Sequence, residues 1–74
     1  MKRRERNKKF LEKIILRLKQ LRVQNNVSQK DMEDTIGINI GRIERGASDF
    51  NMTTLHKICH YFEITPEEFF RGIK

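Results

Sequence analysis

Residues 34–46 read DTIGINIGRIERG, and whether they form a strand, a helix or a linker decides what this chain can be. Ile36, Ile38 and Ile40 alternate, as on a half-buried strand, while Ile36, Ile40 and Ile43 fall at i, i+4 and i+7, as on one face of a helix. The end of the stretch separates the two. Arg45-Gly46 is a helix stop signal: a cation in the last turn, then a glycine free to take positive φ. A strand ending in Arg-Ile-Glu-Arg-Gly would have no partner strand elsewhere. The expectation is a helix over about 36–45, its inner face made by Ile36, Ile40 and Ile43 and its start capped by Asp34 or Thr35. Gly37 and Gly41 each cost that helix up to ~1 kcal/mol in propensity.

Working outward, Phe10, Ile14, Leu18 and Leu21 repeat on one helical face, widened by Leu11 and Ile15, and good helix formers fill the rest. This predicts a helix from about residue 7 to Gln24, stopped by Asn25-Asn26. Ser28 is a good N-cap, with Asp31 in the first turn, so a short helix from Gln29 to about Asp34 follows, Met32 inward. After a polar loop carrying Phe50, a helix opening at Asn51 or Thr53 buries Leu55, Ile58, Cys59 and Phe62. Thr65-Pro66-Glu67-Glu68 is a further helix start, with a Thr N-cap, Pro at the first position and Glu placed for a capping box. Phe69 and Ile73 lie on one side of that helix. The fold class expected is all-α, a bundle of five helices with short loops.

Seventy-four residues allow one small domain with a modest core. A lone cysteine, Cys59, cannot form an internal disulfide and fits a reducing, cytoplasmic setting. No apolar run approaches the ~20 residues of a membrane span, and no small-residue cleavage site follows the basic N-terminus. The net charge of +6 is uneven: residues 1–24 hold ten Lys/Arg against two Glu, and residues 25–74 hold six against eight Asp/Glu. Lys2, Arg3, Arg4, Arg6, Lys8 and Lys9 either add non-specific nucleic-acid affinity by counterion release or are simply solvated. Residues 1–9 are accordingly read as a basic extension and 10–74 as the domain.

Two short helices joined by a tight Gly-containing turn, after a longer helix, have the layout of a helix-turn-helix. Leu21-Arg22, Val27-Ser28-Gln29, Ile43-Glu44-Arg45-Gly46 and Thr54-Leu55 with Ile58-Cys59 and Phe62 resemble the Cro/C1-type (XRE-family) helix-turn-helix, over about residues 14–70. The resemblance implies a compact lambda-repressor-like bundle. From the Ser-Gln pair to the Ile-Glu pair this chain is about three residues shorter than the family pattern. The shortening falls in the second helix, the turn or the start of the third. Glu33 also stands where the family prefers a small residue. Gly37 is either the turn glycine or part of a third helix capped by Thr35; the second option keeps Ile40, Ile43 and Glu44 in register and is the one taken.

Residue by residue, the resemblance implies that Gln29 touches the DNA backbone and supports the recognition helix, and that Arg42 reaches a base edge, where Arg bonds bidentately to guanine. Ile38 and Asn39 share the outward arc, suited to a thymine methyl and an adenine respectively. Thr35 is grouped with them, and Lys30 and Arg45 are candidate phosphate partners. Each of these has a plainer alternative as a solvated or capping residue. Arg22 and Glu44 correspond to a structural salt bridge between the first and third helices. Phe70 and Ile73 are the candidate dimer surface.

His56, Cys59 and His60 raise the question of a metal, but zinc needs four ligands and there is no second Cys/His cluster. No metal or cofactor is expected. No nucleophile-base pairing, phosphate-cradling glycine loop or substrate cleft is legible, so neither an enzyme nor a small-molecule substrate is expected. The reading is a sequence-specific DNA-binding transcription regulator, a homodimer on double-stranded DNA with half-sites ~34 Å apart. The alternative is a protein-interaction module, an antitoxin or adaptor, on the same scaffold with weak or no base readout.

Overall fold

Among the residues described by the computed structural model, 8–48 and 50–73, there are five helices and no strand. They are α1 (Lys8–Gln24), α2 (Gln29–Ile36), α3 (Ile40–Glu44), α4 (Met52–Phe62) and α5 (Pro66–Arg71). Of the basic N-terminal extension, residues 1–7 lie outside the described residues; Lys8 and Lys9 form the first turn of α1.

The inward stripe of α1 is covered from Ile14 onward, through Ile15, Leu18 and Leu21. Phe10, expected on that stripe, is 48 % exposed, because α1 runs a turn beyond the cover given by the other helices. The helix ends as its asparagines predict: Asn26 takes a left-handed conformation at φ 57°, and the Asn25 amide donates to the Leu21 carbonyl at 2.7 Å. Ser28 then caps α2, accepting from the Asp31 amide at 3.0 Å, and Met32 is fully buried.

The deciding stretch folds differently from the sequence expectation. It is helical, but α2 continues to Ile36, and α3 begins only at Ile40. Gly37 ends α2 in a left-handed conformation (φ 73°), its N–H donating to the Glu33 carbonyl at 2.9 Å. Glycine enters that region without the Cβ penalty, so the break falls there. Gly37 is the turn glycine, not the first turn of the third helix. Thr35 is not the cap of α3 either: it sits in α2 with its hydroxyl donating to the Asp31 carbonyl at 3.1 Å. Asn39 is the cap, its side-chain oxygen accepting from the Arg42 amide at 3.0 Å. Ile36 therefore packs from the end of α2, and Ile38 from the linker, half-buried against the core rather than on an outward arc. α2 has eight residues and α3 only five.

The stop signal after α3 behaves as read, with Gly46 at φ 76° and the Ala47 amide bonded to the Arg42 carbonyl at 2.9 Å. Asn51 caps α4. Thr65, Pro66 and Glu68 start α5 with a complete capping box. The core joins Ile14, Leu18 and Leu21 of α1 to Met32, Ile40, Ile43, Leu55, Ile58, Cys59 and Phe69, one or more from every helix. Arg17, which no sequence pattern singles out, fastens the C-terminal helix to α1. Its guanidinium donates to the carbonyls of Phe69 at 2.6 Å and Glu68 at 2.8 Å, and lies 5.8 Å from the centre of the Phe69 ring. Gly72 makes this possible, since a Cβ there would stand 2.5 Å from the Arg17 Cζ.

Candidate nucleic-acid interface

A five-residue helix is about 7.5 Å long and holds no conformation by itself, because nucleation costs more than one turn returns. Packing and side-chain bonds from outside must hold α3. On its inner side Ile40 and Ile43 are buried. At its C-terminal end Glu44 carries a side chain only 2 % exposed, and that carboxylate receives two hydrogen bonds from Arg22 of α1, at 2.7 and 3.0 Å. A third comes from the Gln29 amide of α2 at 2.8 Å, and Arg22 donates further to the Val27 carbonyl at 3.0 Å. The hydrogen bond to Glu44, helped by its charge, raises the Arg22 pKa against the opposing effect of burial. α1, α2 and α3 thus converge on one carboxylate.

At the other end, Asn39 caps the Arg42 amide and the Glu33 carboxylate accepts from the Gly41 amide at 2.9 Å. Gly41 is buried: a Cβ there would meet Arg45 Nη1 at 3.3 Å, Gln29 Oε1 at 3.4 Å and Asn39 Oδ1 at 3.5 Å. Arg45 therefore folds back across α3 toward Gln29, and the missing side chain at 41 leaves room for both.

Gln29, Lys30, Thr35, Asn39, Arg42 and Arg45 are all exposed. Arg42 reaches the Ala47 carbonyl at 3.4 Å, a long bond that leaves its guanidinium available. Lys30 pairs with Asp34 at 3.5 Å, both side chains well exposed, an arrangement worth little in water. Ile38 does not join this group, and Arg22 and Glu44 lie beneath it. Phe70 is 39 % exposed and meets Phe69 edge-to-face at 5.4 Å, while Ile73 is half-buried against the core. The residues that sequence reasoning did not assign to the site are Glu33, flagged only as an anomaly of size, and Asn39 as the cap of α3.

Elsewhere, His56 and His60 stack at 6.3 Å, and no group of three potential metal ligands occurs among the described residues. No described helix is long and apolar enough to cross a membrane.

A glycine turn followed by a short helix, packed on one side and polar on the other, defines a helix-turn-helix DNA-binding module. Residues 15–74 match the helix-turn-helix domain family, and the chain belongs to it, within the XRE type of DNA-binding transcription regulators. Among solved structures it is similar to the restriction-modification controller protein C.AhdI from Aeromonas hydrophila. That likeness has a TM-score of 0.74 at 28% identity and covers 82% of this chain and 97% of that one. No curated protein sequence matches the chain.

Proposed function

We propose that this regulator reads DNA sequence in the major groove with α3, as a homodimer on a pseudo-palindromic site. The observation that carries the reading is the way α3 is held. Arg22, Glu44 and Gln29 pin one end, Asn39 and Glu33 the other, and the side left free presents Arg42, with the Asn39 Nδ2 beside it as a remaining donor. Arg42 is the base-reading residue, with guanine as its natural partner; Asn39, whose Oδ1 is engaged as the cap of α3, has its Nδ2 left to donate to a base acceptor such as adenine N7. Gln29, Lys30, Thr35 and Arg45 flank them as backbone partners. Phe70 is the exposed apolar contact for a second copy, continuous with Ile73. The similarity to a restriction-modification controller protein supports a role in controlling transcription by operator binding.

A selection from a random-sequence duplex pool with the pure protein tests this. Enrichment of a two-fold symmetric site is expected, and Arg42→Ala should then lose ~1–3 kcal/mol on that site and relax preference at one base pair. Equal losses on selected and random duplexes would make Arg42 a phosphate contact. The five-residue length of α3 favours a second reading, a protein-interaction module with no base readout. Absence of both enrichment and low-salt retardation would select it.

A further inference from the structure

Glu33 has no place in a simple account of DNA binding. It puts a carboxylate on the helix before the reading helix, where phosphate repulsion works against affinity. Its geometry explains it. The side chain is half-buried, and its Oε2 accepts the Gly41 N–H at 2.9 Å, eight residues along and across the Gly37 turn. Gly41 is the second residue of α3, and the amides of a helix's first turn have no partner within the helix. In a helix of five residues those amides are most of it. Asn39 satisfies the third position from within the same segment, so it caps α3 without fixing where α3 sits. Glu33 reaches from a different helix, and so it does fix that.

We propose that Glu33 is a positioning residue that sets the angle and register of α3 against α2, and so the sequence preference of the protein. The proposal rests on α3 being the DNA-reading element. It also accounts for Gly41, whose N–H is approached by Glu33 while Arg45 and Gln29 crowd the place of its missing Cβ.

Two substitutions separate reach from charge. Glu33→Gln keeps an acceptor at the same distance and removes the charge; Glu33→Asp keeps the charge and withdraws it by one methylene. Binding of the full chain to the pool-selected duplex and to a scrambled duplex is read by fluorescence anisotropy at fixed salt. Exchange of the Gly41 amide is read by NMR. For Glu33→Gln the selected-to-scrambled ratio stays within about twofold of the parent, both duplexes bind more tightly, and Gly41 stays protected. For Glu33→Asp the ratio falls roughly tenfold and the Gly41 amide exchanges roughly tenfold faster, the effect of one charge-assisted hydrogen bond. The proposal is overturned if Asp keeps both ratio and protection, if Gln fails as badly as Asp, or if Asp weakens both duplexes equally. A parent protein that does not distinguish the duplexes sinks the base-reading function instead, and Gly41 exchange still decides whether Glu33 holds α3.

Discussion

Replacing Arg22 with Ala should remove roughly a quarter to three quarters of the stability of this domain. The substitution deletes two hydrogen bonds to a carboxylate whose side chain is 2 % exposed, and a third to the Val27 carbonyl. Breaking one partner of a buried pair costs ~3–5 kcal/mol. The lower end applies here, because Arg22 itself keeps 16 % exposure and Gln29 still donates to Glu44. A chain of this length has about 4–11 kcal/mol in total, and each kcal/mol moves the midpoint about 4–8 °C. A loss of ~3 kcal/mol is therefore a fall of roughly 12–24 °C. The Arg22 pKa is raised on folding, so its contribution is complete below the ordinary guanidinium value and is lost only as pH rises through the folded one. The loss in Arg22→Ala is then constant across neutral and mildly alkaline pH. Urea titration followed by circular dichroism measures it, alongside a cycle of Arg22→Met, Glu44→Leu and the double variant Arg22→Met/Glu44→Leu. That pair removes both charges and should recover at least half of the loss. A cost below ~1 kcal/mol for Arg22→Ala, the value of an exposed ion pair, would refute the reasoning. So would a double variant as unstable as the two single losses combined.

Gly72→Ala should cost about 1 kcal/mol although residue 72 follows the last helix, because the new methyl pushes the flexible end of Arg17 off the Glu68 and Phe69 carbonyls. A thermal melt reads it, and Arg17→Ala in the same background should then add little. Burial raises the Cys59 pKa, opposed in part by the Arg17 charge, so the native thiol should react slowly with iodoacetamide at pH 7–8 and quickly in denaturant. Because the folded value is the higher one, stability should hold below the unfolded thiol pKa and fall as pH rises through the folded one.

What could be read from the sequence was local chemistry. Ser28, Thr65 with Pro66 and Glu68, and Arg45-Gly46 each carry a start or stop within four residues, and each lies where that chemistry puts it. The start of α3 is not legible in the sequence, because Thr35 and Asn39 are both good caps and because Ile36, Ile40 and Ile43 imitate one helical face across a real break. Ile36 belongs to α2 and reaches the same core from the other side of Gly37. The glycine's φ of 73° decides between the two, and a sequence does not state a φ. Arg17 and Glu33 were missed for a related reason. Their partners lie 52 and 8 residues away on a different helix, so the period of their own helix says nothing of the contact. The Arg22–Glu44 pair, 22 residues apart, came only from family resemblance.

The brevity of α3 also bears on how a regulator finds its site. About 7.5 Å of helix spans roughly two base-pair steps of 3.4 Å, so on the proposed dimeric, base-reading function two copies would read only about four base pairs directly. Four base pairs recur by chance about every 250 positions, against the ~10⁶ or more competing sites of a genome. For a protein built this way, most of the discrimination has to come from the distance between half-sites and from the cost of deforming the DNA between them. On that proposed function, changing the spacer of a selected site should abolish occupancy as surely as changing the base pair assigned to Arg42.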